Sequence, residues 1–261
     1  MADEEDPNQH LPSASERRAD LLNKMDEISQ KAMELLQDDS DDWETYSDKP
    51  CEEMGIKITH KPSEEFGGKV YRMDFTVDRP IEDIIPLTVL IPPFHQLRHM
   101  WNPGFEESDE IVQLDHDTFV LHVSFQPLLG GIVSSRDFCL LERVKCIASE
   151  GSVFTCCGSA QHPACEASTA KVRGEYFPSM WFLKPVDGTP EKTSVVRISQ
   201  WDPKIPVMPW FVQNNHCLKW YASRTIDFKK CAESIPPEDI KKLTKDVTFY
   251  EAVIKDLETP M

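Results

Sequence analysis

The sequence predicts an α+β fold in which one long antiparallel meander curls and buries a face against a long amphipathic helix near the C-terminus. Three observations lead there. Two-residue alternation of apolar and polar residues dominates from Trp43 to Trp201, helical periodicity marks both ends of the chain, and the connections between strands are mostly of hairpin length.

The first helix is expected from Glu16 to Gln37, where Leu21, Leu22, Met25, Ile28, Met33 and Leu36 recur at helical spacing between polar residues. Residues 1–15 before it form an acidic tail. Asp38, Asp39, Ser40, Asp41 and Asp42 end the helix; this cluster lacks the Gly and distal Glu of a calcium loop. Strands are expected at Trp43 to Tyr46, Ile56 to His60 and Val70 to Val77. Pro80 then opens a short helix through Ile85, and a second follows Pro92 and Pro93 as far as Trp101. Six further strands fall near Glu106 to Asp115, Thr118 to Gln126, Asp137 to Ala148, Ser152 to Ser159, Arg173 to Pro185 and Thr193 to Trp201, separated by Gly, Pro and polar turns.

The last large helix runs from about Val207 to Ala232, with Trp210, Phe211, Cys217, Leu218, Tyr221, Thr225 and Phe228 on one side and Lys219, Ser223, Asp227 and Lys230 on the other. Asn214 lies inside the apolar stripe, where an amide must find hydrogen-bond partners. The main domain therefore covers residues 16–233. Residues 234–261 add a helix from Pro237 to Leu257 that reads as a surface appendage.

Composition narrows the function. A content of 40% apolar residues, with 13 Phe and 6 Trp in 261 residues, supplies a sizeable single core. The longest apolar run, Ile84 to Phe94, is interrupted by prolines and is far short of the roughly 20 residues a membrane span needs. The start MADEEDPNQH has neither the basic residues nor the apolar stretch of a secretory signal, so a cytoplasmic location is expected. The eight Cys are irregularly spaced and sit in apolar stretches, which favours reduced thiols. A net charge of −17 disfavours nucleic acid as a partner, and it makes contact with anionic membranes brief. A monomer is expected.

Four segments then fall into a familiar order: KVYRMDFTVDRPIEDI from Lys69 to Ile84, WNP from Trp101 to Pro103, HDTFVLHVSFQPLLGGIVSSRDFCLLERV from His116 to Val144, and WDPKIPVMPWFVQNN from Trp201 to Asn215. Together they resemble the START family (steroidogenic acute regulatory protein-related lipid transfer), and the likeness spans residues 16 to 233. The resemblance implies a helix-grip fold, with the curved sheet wrapped around the last helix and an internal cavity for one sterol, phospholipid, sphingolipid or related apolar molecule. It implies no cofactor, and it places entry at the last helix and a nearby loop.

That loop is Pro127 to Ser135, where Gly130 and Gly131 give backbone freedom and Leu128, Leu129 and Ile132 offer apolar contact to a bilayer; an ordinary bulged hairpin is the alternative. Alternation turns Phe119, Leu121, Val123 and Phe125 toward the cavity from one strand, and Phe138, Leu140, Glu142 and Val144 from the next. Trp101, Trp210, Asn214, Leu218 and Tyr221 complete the expected lining, although an aromatic stripe on a helix serves as core in any fold.

Sterol-transferring members of the family carry an acidic and a basic residue at the positions held here by Val123 and Glu142. Arg143 is one residue away and on the opposite face. The departure argues for a ligand that gives Glu142 a hydrogen-bond donor or a cationic head group, rather than cholesterol. Alternatively a bulge turns Glu142 outward.

Metal sites are weakly supported. His95 and His99 have ligand spacing without the HExxH glutamate, and Cys156 and Cys157 are adjacent rather than a CxxC pair beside His162 and Cys165. The sequence contains no GxSxG, phosphate-loop or dinucleotide motif. A lipid carrier is the leading expectation. A lipid sensor acting through a protein partner, or a helix-grip cyclase using Glu142 as acid or base, are the alternatives.

Overall fold

The computed structural model describes residues 13–92, 94–127, 131, 133–205 and 210–258; the side chains of residues 210–215 and 258 lie outside that description. Ser13 starts α1 (Ala14–Gln37) with a capping box, its hydroxyl accepting from the Glu16 N–H while the Glu16 carboxylate accepts from the Ser13 N–H. Strands β1 (Glu44–Tyr46), β2 (Lys57–Pro62) and β3 (Lys69–Val77) follow, interrupted by α2 (Lys49–Glu53). The short α2 was not expected from periodicity; Asp48 caps it and Pro50 stands in its first turn. Next come α3 (Ile81–Thr88) and α4 (His95–Trp101).

The second run of strands is β4 (Phe105–Gln113), β5 (Thr118–Phe125), β6 (Arg136–Ile147), β7 (Ser152–Ser159), β8 (Val172–Arg173), β9 (Glu175–Tyr176), β10 (Ser179–Val186), β11 (Thr189–Ser199) and β12 (Trp201–Asp202). The single strand expected from Arg173 to Pro185 is broken into three pieces. Gly174 stands at the first break, and glycine is required there because a Cβ would stand 2.3 Å from the ring of Phe138. The chain ends in α5 (Trp210–Ser234), α6 (Pro237–Thr244) and α7 (Thr248–Glu258).

The main sheet runs in the order β1-β2-β3-β11-β10-β7-β6-β5-β4, with neighbours antiparallel along the path and β8 added parallel to β6. Both faces are covered. On the outer face α1 sets Met25, Ile28 and Ala32 against Val120, Cys139, Leu141, Cys156 and Ile198. Gly158 permits this approach, since any Cβ would meet Ile28 at 2.8 Å. On the inner face the sheet curls around α5, whose Leu218, Tyr221, Thr225 and Phe228 are buried as the wheel predicted.

Arg143 points to the outer face, as the register requires. Its guanidinium donates to Asp26 of α1 at 2.5 Å and to Thr118 Oγ1 at 2.9 Å, and it pairs with Asp117 at 3.3 Å. Burial holds the Asp117 carboxyl above the usual range despite this neighbour. Arg143→Ala leaves that nearly buried carboxylate without its cation, so we expect a loss of about 2–3 kcal/mol in urea denaturation with an unchanged m-value.

The segment after α5 differs from the appendage expected. It forms two helices, and both contribute to the inner core: Ile240, Phe249 and Val253 are buried there. The Phe249 ring meets Phe94 at 5.6 Å and Phe119 at 5.5 Å, and the Tyr250 hydroxyl donates to the Glu82 carbonyl. The reason is that β5 and β6 present apolar residues beyond the reach of α5, and a second cover is needed over that end of the sheet.

Candidate functional site: the enclosed inner face

On β5 and β6 the inward side chains are Phe119, Leu121, Val123 and Phe138, Leu140, Glu142, Val144; all are buried, and the apolar ones join one cluster with Trp101, Leu218 and Tyr221. Phe125 is partly buried and packs on the same cluster from its edge. The antiparallel register aligns Phe119 with Glu142, and Glu142 with Cys157 of β7. Of the other residues expected here, Leu128, Leu129, Gly130 and Ile132 lie outside the described residues, as do the side chains of Trp210 and Asn214. Gly131 has φ near +95°, a conformation that glycine adopts without the strain other residues would carry.

Glu142 turns inward, so no bulge rotates it to solvent. Both carboxylate oxygens accept from the Leu90 N–H at 3.0 Å, where the chain between α3 and α4 crosses the sheet. Burial pushes its pKa up to about 8, and the Leu90 N–H, Arg98 and the Ile91 N–H pull it down only in part. At neutral pH the group is therefore mainly the uncharged acid.

Two guanidinium groups share this interior. Arg98 on the buried side of α4 donates to the Thr88 carbonyl at 3.1 Å and lies 4.8 Å from the Trp101 ring centroid. Arg197 on β11 lies beside Trp181 on β10, facing inward with Val195 and Ser199. Its guanidinium is 4.7 Å from the Trp181 centroid, 5.5 Å from Tyr221 and 5.9 Å from Trp101. Burial, followed by repulsion from Arg197, lowers Arg98 to about 10, so it stays charged. Among the described residues, the buried Arg98 Nε, Arg197 Nη1, Trp101 Nε1 and Asn102 Oδ1 have no hydrogen-bond partner. Unpaired buried polar groups are costly, typically about 1–3 kcal/mol each, so these three donors and one acceptor call for partners, water or a ligand.

Cys157 and Tyr176 are partly exposed, and burial nonetheless raises both above their ordinary pKa values. A small pocket borders Tyr176 and is lined also by Asn102, Phe125, Arg136, Trp201 and Trp220. The sequence reasoning placed none of Arg98, Cys157, Tyr176 and Arg197 on the inner face, and it weighed Cys157 only as a metal ligand. Strand alternation carried the signal for Arg197, two residues from buried Val195, and helical spacing carried it for Arg98, three residues before Trp101.

A family model described as the START domain matches residues 24–218. The chain belongs to the START domain family. Among sequence relatives, the START chain is 27% identical over 196 residues to "Steroidogenic acute regulatory protein, mitochondrial" of Gallus gallus, covering 73% of this chain and 66% of that protein. It is 30% identical over 156 residues to "StAR-related lipid transfer protein 5" of Bos taurus, covering 59% of this chain and 71% of that one. The START chain thus spans just under two thirds of the length of the steroidogenic acute regulatory relatives. Human StAR-related lipid transfer protein 5 superposes with a TM-score of 0.72 at 21% identity, covering 82% of this chain and 97% of that structure. Human STARD10 superposes with a TM-score of 0.67 at 14% identity, covering 96% and 91%. Both share the helix-grip fold with this START chain. Among the described residues no helix is long and apolar enough to cross a membrane.

Proposed function

We propose that this protein encloses one lipid molecule on its inner face and carries it between membranes through the cytosol, without converting it chemically. The observation that carries this reading is the inner face of the sheet, where the inward rows of β5 and β6 pack under α5 and the buried Arg98, Arg197 and Trp101 each keep a nitrogen without a partner among the described residues. Relatives named for lipid transfer support it.

The lipid tail would run along Leu121, Val123 and Leu140, and Tyr221 and Leu218 of α5 would close over it. The 127–135 loop and the start of α5 form the gate, because an enclosed ligand leaves only when a covering element moves. Membrane contact is brief, and one chain suffices for each lipid. Phosphatidylcholine, phosphatidic acid, ceramide and cholesterol, each labelled in donor vesicles, provide the test. The purified full chain is expected to move at least one of them to acceptor vesicles and to retain one lipid per chain in native mass spectrometry. Failure to bind any of the four would overturn the proposal. A disulfide tying the loop to α5 is expected to stop transfer while keeping the bound lipid, with reduction restoring transfer. Transfer at the unlinked rate would place the gate elsewhere.

A further inference from the structure

Arg197 projects inward from β11 between the buried Val195 and Ser199, and is itself only 6% exposed. Three aromatic side chains from three different elements stand around its guanidinium carbon: Trp181 of β10 at 4.7 Å, Tyr221 of α5 at 5.5 Å and Trp101 of α4 at 5.9 Å from the ring centroids. The planes of Trp101 and Trp181 are inclined at 78°, so these rings form adjoining walls rather than a stack. Direct cross-strand pairing sets Trp181 beside Arg197, and a 2.9 Å hydrogen bond between the Tyr221 hydroxyl and Ser199 Oγ holds the third ring. From this arrangement we infer that Arg197 is a specificity-determining residue: as a tethered cation it fills the aromatic enclosure that a quaternary ammonium would otherwise enter, and so excludes choline-bearing lipids. The inference rests on the lipid-carrying reading and states a class of cargo that the site refuses.

The enclosure has the chemistry of a cation receptor that is already occupied. Aromatic faces attract a cation through their quadrupoles, and several inclined rings around one point recognise a trimethylammonium group, which has no hydrogen to donate. A planar guanidinium stacks on the same faces. Arg197 Nη1 has no hydrogen-bond partner among the described residues, so the rings are prominent among the contacts that hold the group. Because the guanidinium is attached to β11, it is present at the rings without any cost of association, whereas a head group must first displace it. The displaced cation would remain buried, away from water.

Charge adds a second barrier. Arg98 lies over the Trp101 ring at 4.8 Å, so a cation approaching that ring meets one arginine or the other. Glu142 is the acidic residue buried on this face, and burial keeps it mainly the uncharged acid at neutral pH, so it offsets little of their charge. Burial holds Cys157, Tyr176 and Tyr221 neutral as well. A further positive charge brought among these groups is repelled, and rejection by unpaired like charge separates ligands as effectively as attraction does. The cationic head group suggested for Glu142 by the sequence is therefore not the one proposed.

Dioleoyl phosphatidylcholine and its 3,3-dimethylbutyl analogue, in which carbon replaces the quaternary nitrogen, share one shape and differ by one positive charge. The delipidated full chain is expected to hold the analogue tenfold or more tightly than phosphatidylcholine. The preference should survive about 0.5 M salt, since the charges are buried and weakly screened. In Arg197→Ala the emptied rings should gain phosphatidylcholine binding by tenfold or more while affinity for the analogue changes little; a merely structural Arg197 would weaken both ligands together. Circular dichroism and melting verify the fold. Arg197→Met, which keeps apolar bulk against the rings, is the second variant and should lose the discrimination. Phosphatidylcholine held by the wild type as tightly as the analogue would overturn the inference and leave the lipid-carrying reading standing. If the wild type holds neither ligand, a gain of phosphatidylcholine binding in either variant supports the inference and no gain overturns it. The vesicle panel then decides separately whether the lipid-carrying reading stands.

Discussion

Ending the chain after Pro236, which removes α6 and α7, is expected to abolish cooperative unfolding or to cut the urea midpoint by at least half. The deletion takes away Ile240, Phe249 and Val253, all buried against the inner cluster. At about 1.5–3 kcal/mol for each fully buried apolar side chain, the direct loss is roughly 4.5–9 kcal/mol. That is comparable with the whole stability of an ordinary domain, about 5–15 kcal/mol. The deletion also uncovers Phe94 and Phe119, which are 0% and 2% exposed in the intact chain, so the truncated protein should aggregate or bind a hydrophobic dye. Near-ultraviolet circular dichroism would report the loss of aromatic packing directly. The single substitution Phe249→Ala should cost about 3 kcal/mol by the same contacts with Phe94 and Phe119. A truncated chain with the parent's midpoint and spectrum would mean that α6 and α7 merely lie on the surface.

That expectation concerns the part of the fold least legible in the sequence. The apolar residues of 237–257 are divided between two helices by the turn at Lys245 to Val247, where Asp246 takes a left-handed backbone conformation. Phe249, Tyr250, Val253, Ile254 and Leu257 do recur at helical spacing, but a stripe does not say what it covers, and that is set by the ends of β5 and β6. Strand alternation was a far better guide. On β5 and β6 it assigned Phe119, Leu121, Val123, Phe138, Leu140, Glu142 and Val144 to one face, and it set Arg143 on the other, because successive residues of a strand must alternate.

The same logic applied to β11 would have turned Arg197 inward with Val195. A guanidinium there reads from sequence as an exposed polar residue, since long charged side chains usually reach water at a sheet edge. Only the three-dimensional arrangement removes that exit: Trp101, Trp181 and Tyr221 stand around the group. Arg98 is hidden similarly, in a heptapeptide whose two histidines suggested a different chemistry.

Glu142→Gln is expected to stabilise the delipidated protein strongly at alkaline pH and hardly at all in acid. The carboxyl binds its proton more tightly in the folded chain, where burial raises it to about 8, than in the unfolded chain, where it is near 4.5. Below about pH 4.5 it is protonated in both states and carries no penalty. As pH rises from there, the unfolded chain releases the proton while the folded chain must hold it, and stability declines at up to about 1.4 kcal/mol per pH unit. Above about pH 8 the folded group ionises too, and the penalty levels off on the order of 5 kcal/mol. Glutamine keeps an oxygen to accept the Leu90 N–H and has no proton to lose. Groups elsewhere titrate equally in both proteins, so the difference between their urea-derived stabilities isolates this carboxyl. The difference should be near zero at pH 4.5, grow through neutrality and flatten near pH 8.5. A constant difference across that range would show that the Glu142 carboxyl has the same proton affinity folded and unfolded, and that the interior does not hold it as the uncharged acid.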